Sequence, residues 1–360
     1  MATKTSDFCP NWASPPGDTM SDILGEKGLS VGELAELLGH TLERTQDLLQ
    51  GRATITIRTA RALQTALGGS VEFWISRDYQ YRAQAARIHA VDEEWLGELP
   101  LGDMIRFGWL QPPPRPSEEV EACLRFFGTP SVAAWRHAYD DLDALVAFRT
   151  SPTLDSRPAA VAAWIRKGEI ECAKIECAPW SATGFTGSLQ HIRRLTLEKD
   201  PRHFLPVLQE ICSACGVAVV IVRAPNGCRA SGATRFVSKD RALLLLSFRY
   251  LSDDQFWFTF FHEAGHLLLH SPESTFLEGL DTESSAQESE ASEFAENVLI
   301  PTESKEALLR LGPTDTRTII RFARRIGISP GIVVGQLQHH GKVRRNHFNG
   351  LKRRFQWGVA

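Results

Sequence analysis

The stretch that most restricts what this chain can fold into is Phe256–His270, read FWFTFFHEAGHLLLH. Apart from Glu263 and its histidines it carries no ionisable side chain. A segment this apolar is expected to form a helix buried on all sides. Within it His262, Glu263 and His266 stand in the spacing H-E-x-x-H. Positions i and i+4 of a helix share one face. The two imidazoles therefore converge on one metal ion, with a carboxylate beside them. A zinc hydrolase needs that set: two nitrogen ligands, an open position for water and a carboxylate to take the water's proton. The competing reading is a buried helix whose histidines bond to backbone carbonyls. The uncharged flanks favour the metal, because its charge is felt most strongly in a low dielectric.

His270 sits one turn beyond His266. Three ligands stacked along one helix cannot surround an ion tetrahedrally. His270 is therefore expected to serve the helix C-terminus, where a partly protonated imidazole suits the dipole. The metzincin pattern would place a third His six residues after His266, with Gly midway, where this chain has Pro272 and Leu269. A third ligand must come from elsewhere. Residues 282–296 hold Glu283, Glu288, Glu290, Glu293 and Glu296 among Ala291, Phe294, Ala295, Val298 and Leu299 at helical spacing. That is an amphipathic helix, and its period favours Glu290 or Glu293 facing the metal, Glu290 lying one turn before the apolar Phe294.

Ahead of the motif the texture is that of strands. Val217–Arg223, Gly232–Val237 and Leu243–Arg249 are apolar runs separated by turn residues, and Ser252-Asp-Asp254 suits a helix N-terminus. Such a unit could hold an extended peptide along an edge strand. The seven cysteines are scattered and odd in number, which fits reduced thiols in a cytoplasm. Cys212-Ser-Ala-Cys215 is a lone pair read as core thiols. Residues 1–16 lack a signal-peptide pattern, and no apolar run reaches membrane-spanning length.

Residues 1–18 read as a loose leader. From 19 to 87 short helices carry clear start and stop signals, such as the capping box Ser30-Val-Gly-Glu33 and the stop at Gly39. The sequences Gly28–Gly39, Leu49–Arg52, Ala60–Leu63 and Leu67–Trp74 resemble the XRE-type, HigA-like antitoxin helix-turn-helix. In that case Arg44, Thr45, Gln46 and Arg52 are the candidate DNA-binding residues, with Arg44 and Gln46 able to read base edges. From Asp18 to Arg61 there are seven acidic residues against five basic, so phosphate attraction is weak. Residues 88–190 read as a helical middle region, with helices expected near 96–107, 119–127, 131–148 and 158–168. From Arg317 to Arg354 there are ten basic residues and no acidic one. This segment, 311–360, is either a nucleic-acid-facing surface or the counterweight to the acidic stretch 273–306.

His262-Glu-Ala-Gly-His266 followed by Glu290-Ala-Ser-Glu-Phe-Ala…Pro301 resembles the ImmA/IrrE zinc metallopeptidases, over about 195–340. The resemblance implies a minimal zincin fold, with Zn²⁺ held by His262, His266 and Glu290 and with Glu263 as the catalytic base. The family often has Asn two residues after that Glu, where this chain has Ser292. The expected architecture is multidomain and mainly α, with an all-α helix-turn-helix module first and a small α+β minimal-zincin domain at 191–310. The implied function is a cytoplasmic zinc endopeptidase that cleaves a helix-turn-helix repressor or antitoxin in a stress, prophage or toxin–antitoxin response. The alternative is a DNA-binding regulator whose zincin domain acts as a sensor. DNA and a second copy of the chain are the further candidate partners, and no membrane is expected. A scaffold with a structural metal is disfavoured, because structural zinc is usually closed by four protein ligands.

Overall fold

Capping chemistry sets the first helices. In the computed structural model, which describes residues 13–139, 156–270, 276–277, 286–311 and 315–357, helices α1 to α5 span Pro16–Lys27, Val31–Leu38, Leu42–Leu49, Ile57–Leu67 and Val71–Glu98. Ser30 and Glu33 form the expected capping box, and Gly39 closes α2 with φ of 65°. Thr41 caps α3 by accepting from the Arg44 amide at 3.2 Å. Helices α2 and α3 are thus joined by the turn Gly39-His40-Thr41. Met20, Leu24, Leu34, Leu38, Leu48, Ile55, Leu63, Leu67 and Trp74 form the core beneath them.

The expected boundary at 87 falls inside α5. No Gly or Pro interrupts 71–96, so nothing stops the helix before Gly97. The chain divides into two units near that point. The first holds the residues up to Gly97 with Glu119–Leu124 and Thr129–Arg136. The second holds Glu98–Glu118, Arg125–Gly128 and the rest from His137. Helix α7 (Glu119–Phe127) lies where the sequence placed it, whereas the segment expected at 96–107 is divided between the end of α5 and a short α6 (Leu101–Arg106). Of the helix expected at 131–148, residues 132–139 are helical and 140–148 lie outside the described residues. The expected leader lies largely outside them too, and α1 begins at Pro16, inside its range.

In the second unit α8 (Pro158–Cys172), α9 (Ala182–Leu195) and α10 (Pro201–Ser213) precede a sheet. Its strands are β1 (Val217–Ile221), β2 (Gly232–Ser238), β3 (Arg241–Leu246) and β4 (Phe276–Leu277), in the order β1-β3-β2-β4. Strand β3 is parallel to β1 and antiparallel to β2, and β4 pairs antiparallel with β2 at Ala233 and Thr234. The outer edge of β1 is closed in part by side chains. Gln209 Nε2 donates to the Val219 carbonyl at 3.1 Å, and just past the strand Trp164 Nε1 donates to the Val222 carbonyl at 2.9 Å. Cys212 of the C-x-x-C pair is a buried core thiol, and burial pushes its pKa well above the usual value.

The motif helix α11 (Asp253–Leu269) shares one hydrophobic core with Val219, Leu244, Leu246, Phe204 and Ile332. After it come α12 (Ala286–Leu299), α13 (Thr302–Leu309), α14 (Thr316–Ile326) and α15 (Pro330–His339). Gly265 lets α12 approach closely. A Cβ there would stand 3.2 Å from Ala291 Cα. The segment from 311 onward is not a separate body, because Ile332, Val333, Val334 and Leu337 of α15 lie in this same core. Helices α14 and α15 are joined by Gly327–Ser329, as a helix-turn-helix would be, but α15 is buried and offers no reading face.

Lys352 and Arg353 are tied into the fold, and the exposed Arg354 is held by its backbone. Ser252 bridges Arg354 as a short strand pair, and the Asp253 and Arg353 amides bond across to each other's residue. Arg353 Nη1 donates to the carbonyls of Thr196 and Glu198 at 2.8 and 2.7 Å. Lys352 Nζ lies 2.6 Å from Asp254 Oδ2, and that carboxylate is 3% exposed. Removing one partner of a buried pair leaves an uncompensated charge. Lys352→Met is therefore expected to cost about 3 kcal/mol and to lower the thermal unfolding midpoint of the second unit by several degrees. Adding Asp254→Leu to the same chain should restore most of the loss. An unchanged midpoint in the single variant would show that the pair does not pin this end of α11. By contrast Arg317, Arg321, Arg324 and Arg325 remain exposed along α14.

Candidate metal centre

The two histidines lie one turn apart on α11 and are almost fully buried. Their Nε2 atoms are 3.0 Å apart. The carboxylate that joins them is Glu288 of α12. Its Oε2 is 3.2 Å from His262 Nε2, and its Oε1 is 3.5 Å from His266 Nε2. One ligand atom from each residue falls within 4.8 Å of the other two. A tetrahedral ion with bonds of about 2.0–2.1 Å separates its ligand atoms by about 3.3 Å. The observed spacings bracket that edge, and the donor set of two imidazoles and one carboxylate is one that zinc accepts. These residues fit a divalent metal.

The third acid differs from the one expected. Glu290 points away from the pair: its Oε2 is 3.2 Å from His270 Nε2, and its side chain is 59% exposed. The reason is helix phase. The buried stripe of α12 runs Ala291, Ala295, Leu299, and Glu288 continues it one turn earlier at i−3. Phe294, which favoured Glu290 in the sequence, is only half-buried. Glu293 is exposed, and residues 282–285 of the acidic run lie outside the described residues.

Behind each histidine stands a second partner. Ser292 Oγ lies 3.3 Å from His262 Nδ1, at the position where the resembling family often has Asn. His270 Nδ1 lies 2.9 Å from His266 Nδ1. His270 is the C-cap of α11, as expected of the end of that helix, but its ring is turned back along the helix face to the ligand. Partners of this kind fix the tautomer and the ring orientation of metal-ligating histidines.

The electrostatics agree with ligand duty. Burial foremost lowers the pKa of His266 below its ordinary 6.5, the neighbouring Glu288 opposing. A neutral ring is the metal-binding form. For Glu288 burial works to raise the pKa, but hydrogen bonds from His262 and His266 and their charge hold the carboxyl well below its ordinary 4.5.

Glu263 is wholly buried beside the pair. Its carboxylate lies against Gly232 at the start of β2, where an added Cβ would come within 2.4 Å of Oε1. Only glycine leaves that space. Gly232→Ala is therefore expected to displace the carboxylate and to lower peptide hydrolysis by at least about tenfold, with little change in metal content. Full activity in that variant would show that the position of Glu263 is not set by β2.

The four residues proposed to read DNA do not share one surface. Arg44 and Gln46 are exposed on α3. Thr45 is buried, and its hydroxyl donates to the Thr41 carbonyl at 3.0 Å, so it faces the core of its own module. Arg52 pairs with Asp47 at 2.6 Å. Among the described residues no helix is long and apolar enough to cross a membrane.

Sequence reasoning missed Glu288, the contact of Ser292, the engagement of His270 and the close approach of Gly232. The signal for Glu288 was its i, i+3, i+7, i+11 relation to Ala291, Ala295 and Leu299. Alanine, a weak hydrophobic marker, hid it.

A search of curated proteins returned no match. The family model Peptidase_M78, described as the IrrE N-terminal-like domain, matches residues 217–337, about a third of the chain. It spans β1 to α15 and therefore the whole candidate site. The match supports the ImmA/IrrE resemblance and a metallopeptidase domain of the zincin type at residues 217–337.

Proposed function

We propose that the chain is a zinc-dependent endopeptidase whose site is built by His262, His266 and Glu288, with Glu263 as general base. The observation that carries this is the convergence of three ligand atoms, from two buried histidines and the half-buried Glu288, fewer than a structural zinc uses, beside a buried carboxylate that is not among them. A zinc ion bound there supplies Lewis acidity, which polarises a carbonyl and lowers the pKa of water toward about 7.

The chain's own residues do the rest. Glu263 takes a proton from the water as its oxygen attacks the peptide carbonyl carbon. The same carboxyl gives that proton to the departing amine nitrogen as the C–N bond breaks, and it ends ionised as it began. Burial keeps bulk water from competing for the proton.

The substrate class we infer is a helix-turn-helix repressor or antitoxin, cut in the cytoplasm during a stress, prophage or toxin–antitoxin response. Support comes from the ImmA/IrrE resemblance and from an amino-terminal module whose α2–turn–α3 matches the expected helix-turn-helix pattern. That module also supports a second reading, a DNA-binding regulator in which the metal domain senses and does not cut. Arg44 and Gln46 are its exposed candidates. Incubating the zinc-loaded chain with purified helix-turn-helix proteins, and sizing the products by mass spectrometry, separates the two. Defined fragments that are absent with Glu263→Gln support the peptidase. Intact partners together with retarded operator DNA support the regulator.

A further inference from the structure

Both ring nitrogens of His266 are engaged. Nε2 faces His262 and Glu288, and Nδ1 lies 2.9 Å from His270 Nδ1. His270 Nε2 in turn lies 3.2 Å from Glu290 Oε2. A neutral imidazole has one N–H donor and one acceptor nitrogen. If Nε2 of His266 offers its lone pair to a metal, its proton sits on Nδ1, which then donates to His270 Nδ1. The proton of His270 sits on Nε2 and is donated to the Glu290 carboxylate. The opposite direction would place a proton on His266 Nε2, the atom that must be bare. Donors and acceptors therefore match along the series in the one sense that serves metal binding.

We propose that His270 and Glu290 are positioning residues, forming a relay that locks His266 in its metal-binding tautomer and orientation. This deepens the reading of His262, His266 and Glu288 as a metal site and rests on it. The relay runs from the buried site to the surface: the His270 side chain is 3% exposed and that of Glu290 59%. His270 can reach His266 because it sits one turn along α11. Glu290 can reach His270 because α12 packs closely on α11 at Gly265. The two ligands are backed unequally. His262 meets a neutral hydroxyl from Ser292, whereas His266 is tied through a second ring to a carboxylate. A carboxylate behind an imidazole raises its basicity as a ligand. The relay also gives Glu290 a place in the site without making it a ligand.

The test is the zinc affinity of the full chain, measured by chelator competition for wild type, His270→Ala, His270→Gln, Glu290→Gln and Glu290→Ala. Circular dichroism and the unfolding midpoint serve as controls. Outer-shell changes typically weaken binding 10–100-fold. His270→Ala is expected to raise the zinc Kd by at least about tenfold. His270→Gln, whose carbonyl can accept from His266 Nδ1, should recover part of that loss. Both Glu290 variants should weaken zinc severalfold without lowering the unfolding midpoint of the metal-free chain. A purely structural role would move the midpoint and show no rescue by Gln. If His270→Ala fails to fold, the exposed Glu290 variants decide: unchanged affinity in both overturns the relay, and weakened affinity upholds it. Wild type that binds zinc while His270→Ala and Glu290→Gln bind it equally well sinks the relay alone. Wild type that binds no zinc sinks the relay and the metal-site reading together.

Discussion

Glu263→Gln is expected to stop peptide cleavage and leave the metal in place. The amide is close to isosteric, so it fills the same space against Gly232, but it cannot accept a proton from water. General-base catalysis of this kind contributes about 10²–10⁴-fold, equivalent to about 3–5 kcal/mol of barrier. The loss should appear in kcat, with the KM for a cleavable peptide and the zinc content near wild type. A Gln variant that turns over within about tenfold of wild type would remove Glu263 from the reaction.

Glu288→Ala is expected to lose zinc, whereas Glu290→Ala weakens it only severalfold. Outer-shell changes alone cost up to about 100-fold, and deleting one of three protein ligands should exceed that. Equilibrium dialysis against zinc at neutral pH measures both. The reverse order, with Glu290→Ala the worse, would restore the acid that the motif resemblance favoured. Acid should act on the same groups. The folded chain holds His266 below its ordinary 6.5, so the unfolded chain binds a proton that the folded one refuses. Stability of the metal-free second unit should therefore fall as pH drops through about 6.5. Glu288 is shifted the same way from 4.5, so its contribution, present above that value, is lost as pH falls further. Denaturant midpoints between pH 8 and 4 would show the trend, and a flat profile would contradict it.

Several parts of this architecture were legible before any coordinates. The H-E-x-x-H helix, the three main strands, the capping box at Ser30 and the stop at Gly39 rest on local rules of period and hydrogen bonding, and the structure follows them. What was hidden depends on contacts between distant segments. Glu288 and Glu290 differ by two residues on one helix, and the choice depends on which side of that helix meets Gly265. By composition the basic C-terminus could be either a nucleic-acid-facing surface or a counterweight to the acidic stretch 273–306. Lys352 meets the buried Asp254 with its ammonium group and the Arg353 backbone amide meets the buried Asp253, so this end of the chain holds the start of α11. The boundary at 87 failed for a simpler reason: a change in texture is not a stop signal, and α5 meets none until Gly97.

Zinc-edge X-ray absorption of the purified, zinc-loaded chain tests the centre most directly. The account predicts one ion per chain, with two imidazole nitrogens at about 2.0–2.1 Å and oxygen donors at about 2.0–2.2 Å, and with no sulfur in the shell. In Glu288→Ala that site should not fill under the same loading. A sulfur-containing shell, or the same nitrogen–oxygen shell retained in Glu288→Ala, would contradict it.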